Sequence, residues 1–257
     1  MELTLLEGPA FENALAAFVQ EMLRKGVPSL YNDVCALLRI PVYGEPSRFT
    51  LATTVEEFNG CPRAQIVLDM VSKYVTSLQT TGLFPGSDAD CSPTVLLWAL
   101  FLQAHLQEKF GGNRCRLWPN HPPTPQHYSL APHSAPATTP QDVNKALATI
   151  DTCIAHTPTA LDMYLKKGKL LRKLGDTTNA AHVLDRCRAM DLQDRYLNNK
   201  ATKYMLRADQ MANAMDRVAL FLKFDGDPQI MLGELQVCLC TSCTHVARFF
   251  MYIDTFL

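Results

Sequence analysis

The sequence lacks a long uninterrupted apolar run and a large net charge. Its most apolar stretch, residues 237–257, is interrupted by His245, Arg248 and Asp254, whereas a membrane-spanning helix needs about 20 predominantly apolar residues. Twenty-four basic and twenty-five acidic residues give a net charge of −1, which provides no general attraction to nucleic acid or to an anionic membrane. We therefore expect no membrane span and no direct reading of nucleic-acid sequence, and any polyanion must bind a local basic cluster.

The signatures of common enzyme active sites are also missing. We find no P-loop, no dinucleotide-binding glycine motif, no nucleophile elbow and no zinc-protease motif. The glycine-containing loop that holds the phosphates of coenzyme A in acetyltransferases is missing as well. We predict that the chain is not an enzyme, although an enzyme of an unfamiliar type stays open as an alternative.

Cysteines and histidines do not form a convincing metal site. The nine cysteines are an odd number and mostly stand singly, which in a reducing compartment is typical of small buried side chains. One cluster consists of Cys238, Cys240, Cys243 and His245, and it has no second pair of ligands elsewhere in the chain. The other consists of His121, His127 and His133, whose six-residue spacing matches no usual ligand pattern. We predict that no metal is bound.

The N-terminus does not have the pattern of a secretory signal. Residues 1–10 carry Glu2 and Glu7, and no basic flank precedes an apolar run. A cytoplasmic location is therefore the expectation. The mean hydropathy of −0.03 and the 47% of hydrophobic residues provide enough apolar side chain for a packed core.

Apolar residues recur at three- and four-residue steps along much of the chain, which is typical of amphipathic helices. Glycine and proline separate these segments, as at Gly26 and Pro28. No segment shows the convincing two-residue alternation of a strand. The helices that we predict cover residues 11–25, 29–38, 64–80, 94–110, 141–155 and 161–174.

An internal repeat of 34 residues has the period of the tetratricopeptide repeat. Ala146, Ala180 and Ala214 share the position where the two helices of a repeat approach closely, and a larger side chain there would cost roughly 1–3 kcal/mol. Gly168 occupies the other small contact position. Further residues that fit are Trp98, Ala104, Gly111, Pro158, Tyr164, Gly175 and Leu184. We predict an all-α fold of tetratricopeptide-like helix hairpins stacked into a superhelix (an α-solenoid), with chance alanine periodicity in another helical array as the alternative.

Residues 112–140 interrupt this pattern with seven prolines, which cannot continue a helix. Because Ala104 and Ala146 are 42 rather than 12 residues apart, we interpret the segment as an insertion within one repeat, where closure entropy grows only slowly with length. The predicted parts are helical repeats over 1–111, a Pro-rich insertion loop over 112–140, and helical repeats over 141–257 that are truncated at the C-terminal end. Uncovered repeat faces would make the isolated chain poorly soluble.

Two basic rows lie on successive predicted first helices. Such helices line the concave surface of tetratricopeptide arrays, so the rows are expected to face one groove that suits a polyanion. Ordinary solvated helix faces are the alternative. The first row is Lys166, Lys169 and Lys173, and the second is Lys200, Lys203, Tyr204 and Arg207.

Four segments resemble the large auxiliary subunit of the N-terminal acetyltransferase A complex, a tetratricopeptide scaffold. They are residues 24–31 (RKGVPSLY), 74–84 (YVTSLQTTGLF), 93–98 (PTVLLW) and 194–207 (DRYLNNKATKYMLR). The last segment is the most specific. The resemblance extends from about Leu3 to Cys243, so the chain corresponds to the middle part of a longer family member.

The resemblance implies a non-catalytic scaffold that wraps a small catalytic acetyltransferase and anchors it at the ribosome. Acetyl-coenzyme A would bind the partner, and inositol hexakisphosphate would join the two subunits. His182 replaces a basic residue of the family pattern, which weakens an anion contact at neutral pH. The implied inositol polyphosphate residues are Lys167, Lys169, Arg172, His182, Lys200, Lys203, Tyr204 and Arg207. The alternative function is a free-standing tetratricopeptide adaptor that binds acidic peptide tails.

Overall fold

The computed structural model describes residues 6, 8–37, 39–42, 45–51, 62–110 and 140–221. Helices make up most of these ranges, which confirms the predicted helical-repeat fold. The elements are α1 (Gly8–Lys25), α2 (Leu30–Leu37), β1 (Arg39–Val42), β2 (Glu45–Leu51), α3 (Pro62–Thr80), α4 (Pro93–Phe110), α5 (Pro140–His156), α6 (Leu161–Lys173), α7 (Thr177–Met190), α8 (Arg195–Arg207) and α9 (Met211–Ala219).

The chain divides into two compact units, Met1–Thr157 and Pro158–Leu257. The predicted three-part division at 111 and 140 stays a prediction, since residues 111–139 of the Pro-rich segment lie outside the described residues. The two cysteine and histidine clusters considered above lie outside them as well. Within the described ranges, no group of three His, Cys, Asp or Glu side chains is placed to hold a metal ion. No described helix has the length and apolar character to cross a membrane.

Helix α4 lies at the centre of the first unit. It packs against α1, α2, α3 and α5, and its apolar side chains are distributed all round the helix, as expected for a helix that neighbours surround. Helix α1 instead buries one stripe at four-residue steps. The members of that stripe are Phe11, Leu15, Val19 and Leu23.

Proline and glycine set the ends of these helices. Pro62, Pro93 and Pro140 each stand at the first position of a helix, where the missing N–H would have no intrahelical acceptor. Gly26 ends α1 with a φ of +66°. A Cβ at this position would lie 2.7 Å from Trp98 Nε1, so Gly26 also permits a close approach to α4.

A short β-hairpin between α2 and α3 departs from the sequence analysis, which found no strand. Strands β1 and β2 pair antiparallel with Arg39 opposite Leu51, and the register shifts between Pro41 and Val42. Proline lacks the N–H that a regular ladder needs and is found at bulges and strand edges. A proline within a short run argues against a strand, so Pro41 makes β1 hard to predict from the sequence. The overall class stays helical.

The second unit contains two helix hairpins. Helix α6 packs on α7, α7 on α8, and α8 on α9. Gly175 ends α6 with a φ of +85°, and the Asp176 carboxylate caps α7 by accepting a hydrogen bond from Asn179 N at 3.1 Å. Asp194 caps α8 by accepting from Tyr196 N at 2.7 Å. These caps satisfy N–H groups at the start of each helix that have no intrahelical acceptor.

The small positions of the 34-residue repeat lie at the helix contacts, as predicted. Ala146, Ala180 and Ala214 are all fully buried. Gly168 faces α7 so closely that a Cβ would lie 1.8 Å from Leu184 Cδ2. The 34-residue repeat therefore reflects helix packing, because the smallest side chains recur where two helix backbones come nearest.

Two buried cysteines follow the same register. Cys153 and Cys187 are 34 residues apart, and each thiol lies against a carbonyl oxygen near the start of the facing first helix, Leu97 O at 4.0 Å and Leu161 O at 3.6 Å. Burial raises the pKa of Cys153 to about 12 and that of Cys187 to about 11. These two thiols are packing groups, as the sequence analysis expected of most cysteines.

Candidate functional site

Helix α6 buries two adjacent faces rather than one. Tyr164, Gly168 and Leu171 are buried as predicted, but Lys166 is only 4% exposed. The prediction that Lys166 lines the solvent face is therefore wrong. Lys166 stands three residues after Met163 and four before Leu170, which are both buried, so it belongs to a second packed stripe. Lys169 and Lys173 are exposed, as predicted.

Arg172 of α6 and Arg207 of α8 converge on one aromatic ring. Arg172 Cζ lies 5.9 Å from the centroid of the Tyr204 ring, and Arg207 Cζ lies 5.3 Å from it. Both distances are within the reach of a cation–π interaction. Tyr204 itself is only 6% exposed, so the ring is a fixed platform that holds two guanidinium groups near each other. We call these three residues the arginine pair site.

The positive charges of the arginine pair site repel each other. Burial lowers the pKa of Arg207, and the charge of Arg172 lowers it further. Burial also raises the pKa of Tyr204, against the opposing effect of both guanidinium groups. Among the described residues, no carboxylate forms an ion pair with Arg172 or Arg207. An anion bound between them would relieve this repulsion.

The remaining predicted residues stand on α6, α7 and α8. Lys200 and Lys203 are half-buried on α8. Lys200 precedes Tyr204 by four residues and Lys203 precedes Arg207 by four, the spacing of neighbours on one side of a helix. On α6 and α7 lie the half-buried Lys167 and the exposed Lys169 and His182. The structure thus brings Arg172, Tyr204 and Arg207 together and places the other five residues on α6, α7 and α8.

Tyr196, the first aromatic residue of α8, is absent from the predicted site residues. Its ring is 53% exposed, and Lys200 Nζ lies 5.1 Å from the ring centroid. Tyr196 precedes Lys200 by four residues and Tyr204 by eight, so the helical spacing carried the signal that it shares their face.

A second group of arginines in this unit is paired with a carboxylate and has a structural role. Arg188 Nε donates to Asp185 Oδ1 at 2.7 Å, and Arg217 donates to both carboxylate oxygens at 2.9 and 3.1 Å. This cluster joins α7 to α9. The Asn198 side chain of α8 extends the connection by donating to Arg217 O at 2.8 Å. The contrast with Arg172 and Arg207 identifies the arginine pair site, within the described part of the chain, as a cationic group without a carboxylate partner.

We predict that Asp185→Asn lowers the free energy of unfolding at neutral pH and has a smaller effect in acid. Burial acts to raise the pKa of Asp185, but the hydrogen bonds and charges of Arg217 and Arg188 outweigh it and hold the pKa below its ordinary value. A depressed pKa stabilises the folded state above the unfolded pKa of about 3.9, and this contribution is lost as the pH falls through the folded pKa. Because 26% of the side chain is exposed, we expect a loss on the order of 1 kcal/mol.

Urea unfolding of both proteins at neutral pH and below pH 4 measures this difference. Asp216→Asn changes an exposed carboxylate on α9 and is the matched control, with an expected effect within about 0.5 kcal/mol at either pH. An equal loss for Asp185→Asn at both pH values would show that the carboxylate charge is not the stabilising feature.

Known proteins share this architecture and sequence pattern. A family model described as "N-terminal acetyltransferase A, auxiliary subunit" matches residues 1–241. The chain is 34% identical over 234 residues to the N-terminal acetyltransferase A complex auxiliary subunit NAA15 of Arabidopsis thaliana, and the match covers 91% of this chain and 20% of the relative. It is 25% identical over 238 residues to the human N-alpha-acetyltransferase 16, NatA auxiliary subunit, with 92% and 22% covered.

A solved structure supports the fold. The structure described as "Structure of Naa15/Naa10 bound to HypK-THB" contains a chain that matches 91% of this one with a TM-score of 0.59 and 20% identity, over 27% of its own length. The chain spans about a fifth of the length of the curated relatives that it matches. Those relatives are named as auxiliary subunits, which confirms the prediction that the chain is not the catalytic component. With the match to residues 1–241, the chain belongs to the auxiliary-subunit family of N-terminal acetyltransferase A.

Proposed function

We propose that the chain is a non-catalytic scaffold of a co-translational N-terminal acetyltransferase, which binds a small catalytic subunit and anchors it at the ribosome in the cytoplasm. The family match over residues 1–241 carries this proposal. Stacked helix hairpins support it, because repeat arrays present extended surfaces for partner proteins. The similar solved structure is a complex of Naa15 with Naa10. Acetyl-coenzyme A binds the catalytic partner in this proposal.

Affinity purification of the tagged full chain from native lysate, followed by mass spectrometry, tests the scaffold function. We expect to recover a small acetyltransferase together with ribosomal proteins, and no such enrichment with the tag alone. Recovery of ribosomal proteins should fall at raised salt, because exposed charge contacts are screened there. If the folded chain recovers no acetyltransferase, the scaffold proposal is wrong. If it recovers the acetyltransferase without ribosomal proteins, the ribosome part alone is wrong.

We further propose that the arginine pair site binds inositol hexakisphosphate. Two guanidinium groups held on the Tyr204 ring, without a carboxylate partner among the described residues, match the bidentate acceptors of a phosphate. Each charge-assisted hydrogen bond contributes about 1.5–3 kcal/mol. The surrounding basic residues on α6, α7 and α8 then contact the outer phosphates. These residues are Lys167, Lys169, His182, Lys200 and Lys203.

A further inference from the structure

Positive charge is concentrated in one part of the chain. Residues 158–221 contain twelve basic and seven acidic residues, although the whole chain has a net charge of −1. Some of these basic residues pair with acidic ones inside the fold, as Arg188 and Arg217 do with Asp185. The cations without an acidic partner among the described residues include Arg172, Lys200 and Arg207. Residues 158–221 therefore have an excess of basic side chains available to an acidic ligand.

Helix α8 carries these cations along one side. Tyr196, Lys200, Lys203 and Arg207 follow at steps of four, three and four residues, which places them on a common face. We call these four residues the aromatic–basic stripe. Eleven residues of helix correspond to about 16 Å along the axis. A compact anion at Arg207 does not reach Tyr196 over that distance.

Apolar side chains are exposed at the Tyr196 end of the stripe. Four large apolar side chains among the described residues are exposed, and three of them stand at or beside the connection between α7 and α8. They are Met190, Leu192 and Tyr196, of which Leu192 is 63% exposed. One end of the stripe is therefore apolar, and the rest is cationic.

We propose that the aromatic–basic stripe binds an extended acidic peptide segment that ends in an apolar side chain. An extended chain rises about 3.3 Å per residue, so about five residues span the stripe. Carboxylates on the peptide then contact Lys200, Lys203 and Arg207, and the apolar side chain packs on Leu192 and Tyr196. Guanidinium and ammonium groups both pair with carboxylates. The inference deepens the proposed function, because Arg207 is shared with the inositol hexakisphosphate site.

A peptide fits this surface better than a single-stranded nucleic acid does. Base recognition without sequence reading stacks successive bases on several aromatic rings, but Tyr196 is the one exposed aromatic ring of α8. The second aromatic ring of the helix, Tyr204, is buried. Leu192 offers an aliphatic contact that matches an apolar side chain. The shared Arg207 makes the peptide and inositol hexakisphosphate competitors for the same surface.

Fluorescence anisotropy with the full chain and a short labelled peptide tests the proposal. The probe is an amidated peptide of consecutive glutamates that ends in leucine, and its matched control has glutamine in place of every glutamate. We expect the acidic peptide to bind at physiological salt and the glutamine peptide not to bind. Inositol hexakisphosphate should displace the acidic peptide. Equal binding of both peptides, or of neither, would overturn the proposal.

Two exposed positions separate this inference from the proposed function. Tyr196→Ala and Leu192→Ser should each weaken the peptide about five- to tenfold, as expected for one exposed apolar contact. Leu192→Ser should leave the affinity for inositol hexakisphosphate unchanged, and neither change should alter the recovery of the acetyltransferase. Lys145→Glu, an exposed position on α5 in the first unit, controls for general charge. Circular dichroism checks that each variant is folded.

The outcomes distinguish the peptide inference from the scaffold function. Unchanged peptide binding in both Tyr196→Ala and Leu192→Ser overturns the inference, whatever the acetyltransferase does. An oligouridylate that binds more tightly than the peptide and depends on Tyr196 also overturns it, in favour of nucleic acid. If the unaltered chain binds the peptide but recovers no acetyltransferase, the scaffold function is contradicted and the peptide inference holds.

Discussion

Gly168→Ala is expected to lower the free energy of unfolding of the second unit by about 2 kcal/mol. The new Cβ would lie 1.8 Å from Leu184 Cδ2, and Ala180 O is 3.7 Å away on the same side. Leu184 is fully buried, so its side chain has little free space into which it can move. Alanine normally stabilises a helix interior relative to glycine by about 1 kcal/mol. A net loss therefore requires that overpacking exceed this gain.

A double-mutant cycle identifies the source of that loss. Leu184→Ala alone should cost about 2–5 kcal/mol through the cavity that it leaves. It also removes the atom that the new Cβ would meet, so Gly168→Ala should cost much less in the Leu184→Ala background. Urea unfolding followed by circular dichroism measures all four proteins. Additive effects would show that the clash lies elsewhere, and a Gly168→Ala protein as stable as the parent would contradict the close helix contact.

The helices could be predicted closely from the sequence alone. Their ends depend on local chemistry, since Pro93 and Pro140 begin helices and Gly26 and Gly175 adopt a positive φ where helices end. The helices predicted for residues 94–110 and 141–155 begin at Pro93 and Pro140 in the structure. Pairing in the β-hairpin instead depends on residues about ten positions apart, and Pro41 removes its local signal. Local chemistry therefore predicts the helices and misses the strands.

The candidate site was predictable only as a set of helical faces. Spacing placed Lys200, Tyr204 and Arg207 in one basic row. Lys200 and Arg207 are half-buried in the structure, whereas Tyr204 is buried with Ala201 and Met205. Spacing does not show which arginines pair with a carboxylate, because Asp185 and Arg217 form their ion pair although they are 32 residues apart in the sequence. Nor does it show that two neighbouring faces of α6 are buried, which removes Lys166 from the exposed row. Both facts depend on tertiary contacts between helices.

The arginine pair site predicts a large and specific loss of inositol hexakisphosphate binding. Arg172→Ala and Arg207→Ala should each weaken binding by about tenfold to a hundredfold, because each removes a charge-assisted contact of about 1.5–3 kcal/mol. Tyr204→Phe keeps the ring that supports both guanidinium groups and should have a much smaller effect. Isothermal titration calorimetry with the full chain measures these affinities.

A matched arginine elsewhere in the unit decides whether this loss is specific. Arg186 Cζ lies 5.5 Å from the centroid of the Tyr164 ring, so it forms the same kind of arginine–tyrosine pair. Tyr164 precedes Arg172 by eight residues on α6, which is about 12 Å along the axis. Arg186→Ala should therefore leave the affinity unchanged. At a defined site, the loss of affinity depends on which arginine is removed. If Arg186→Ala weakens binding as much as Arg172→Ala does, inositol hexakisphosphate therefore binds through the net positive charge of the unit and not at the arginine pair site.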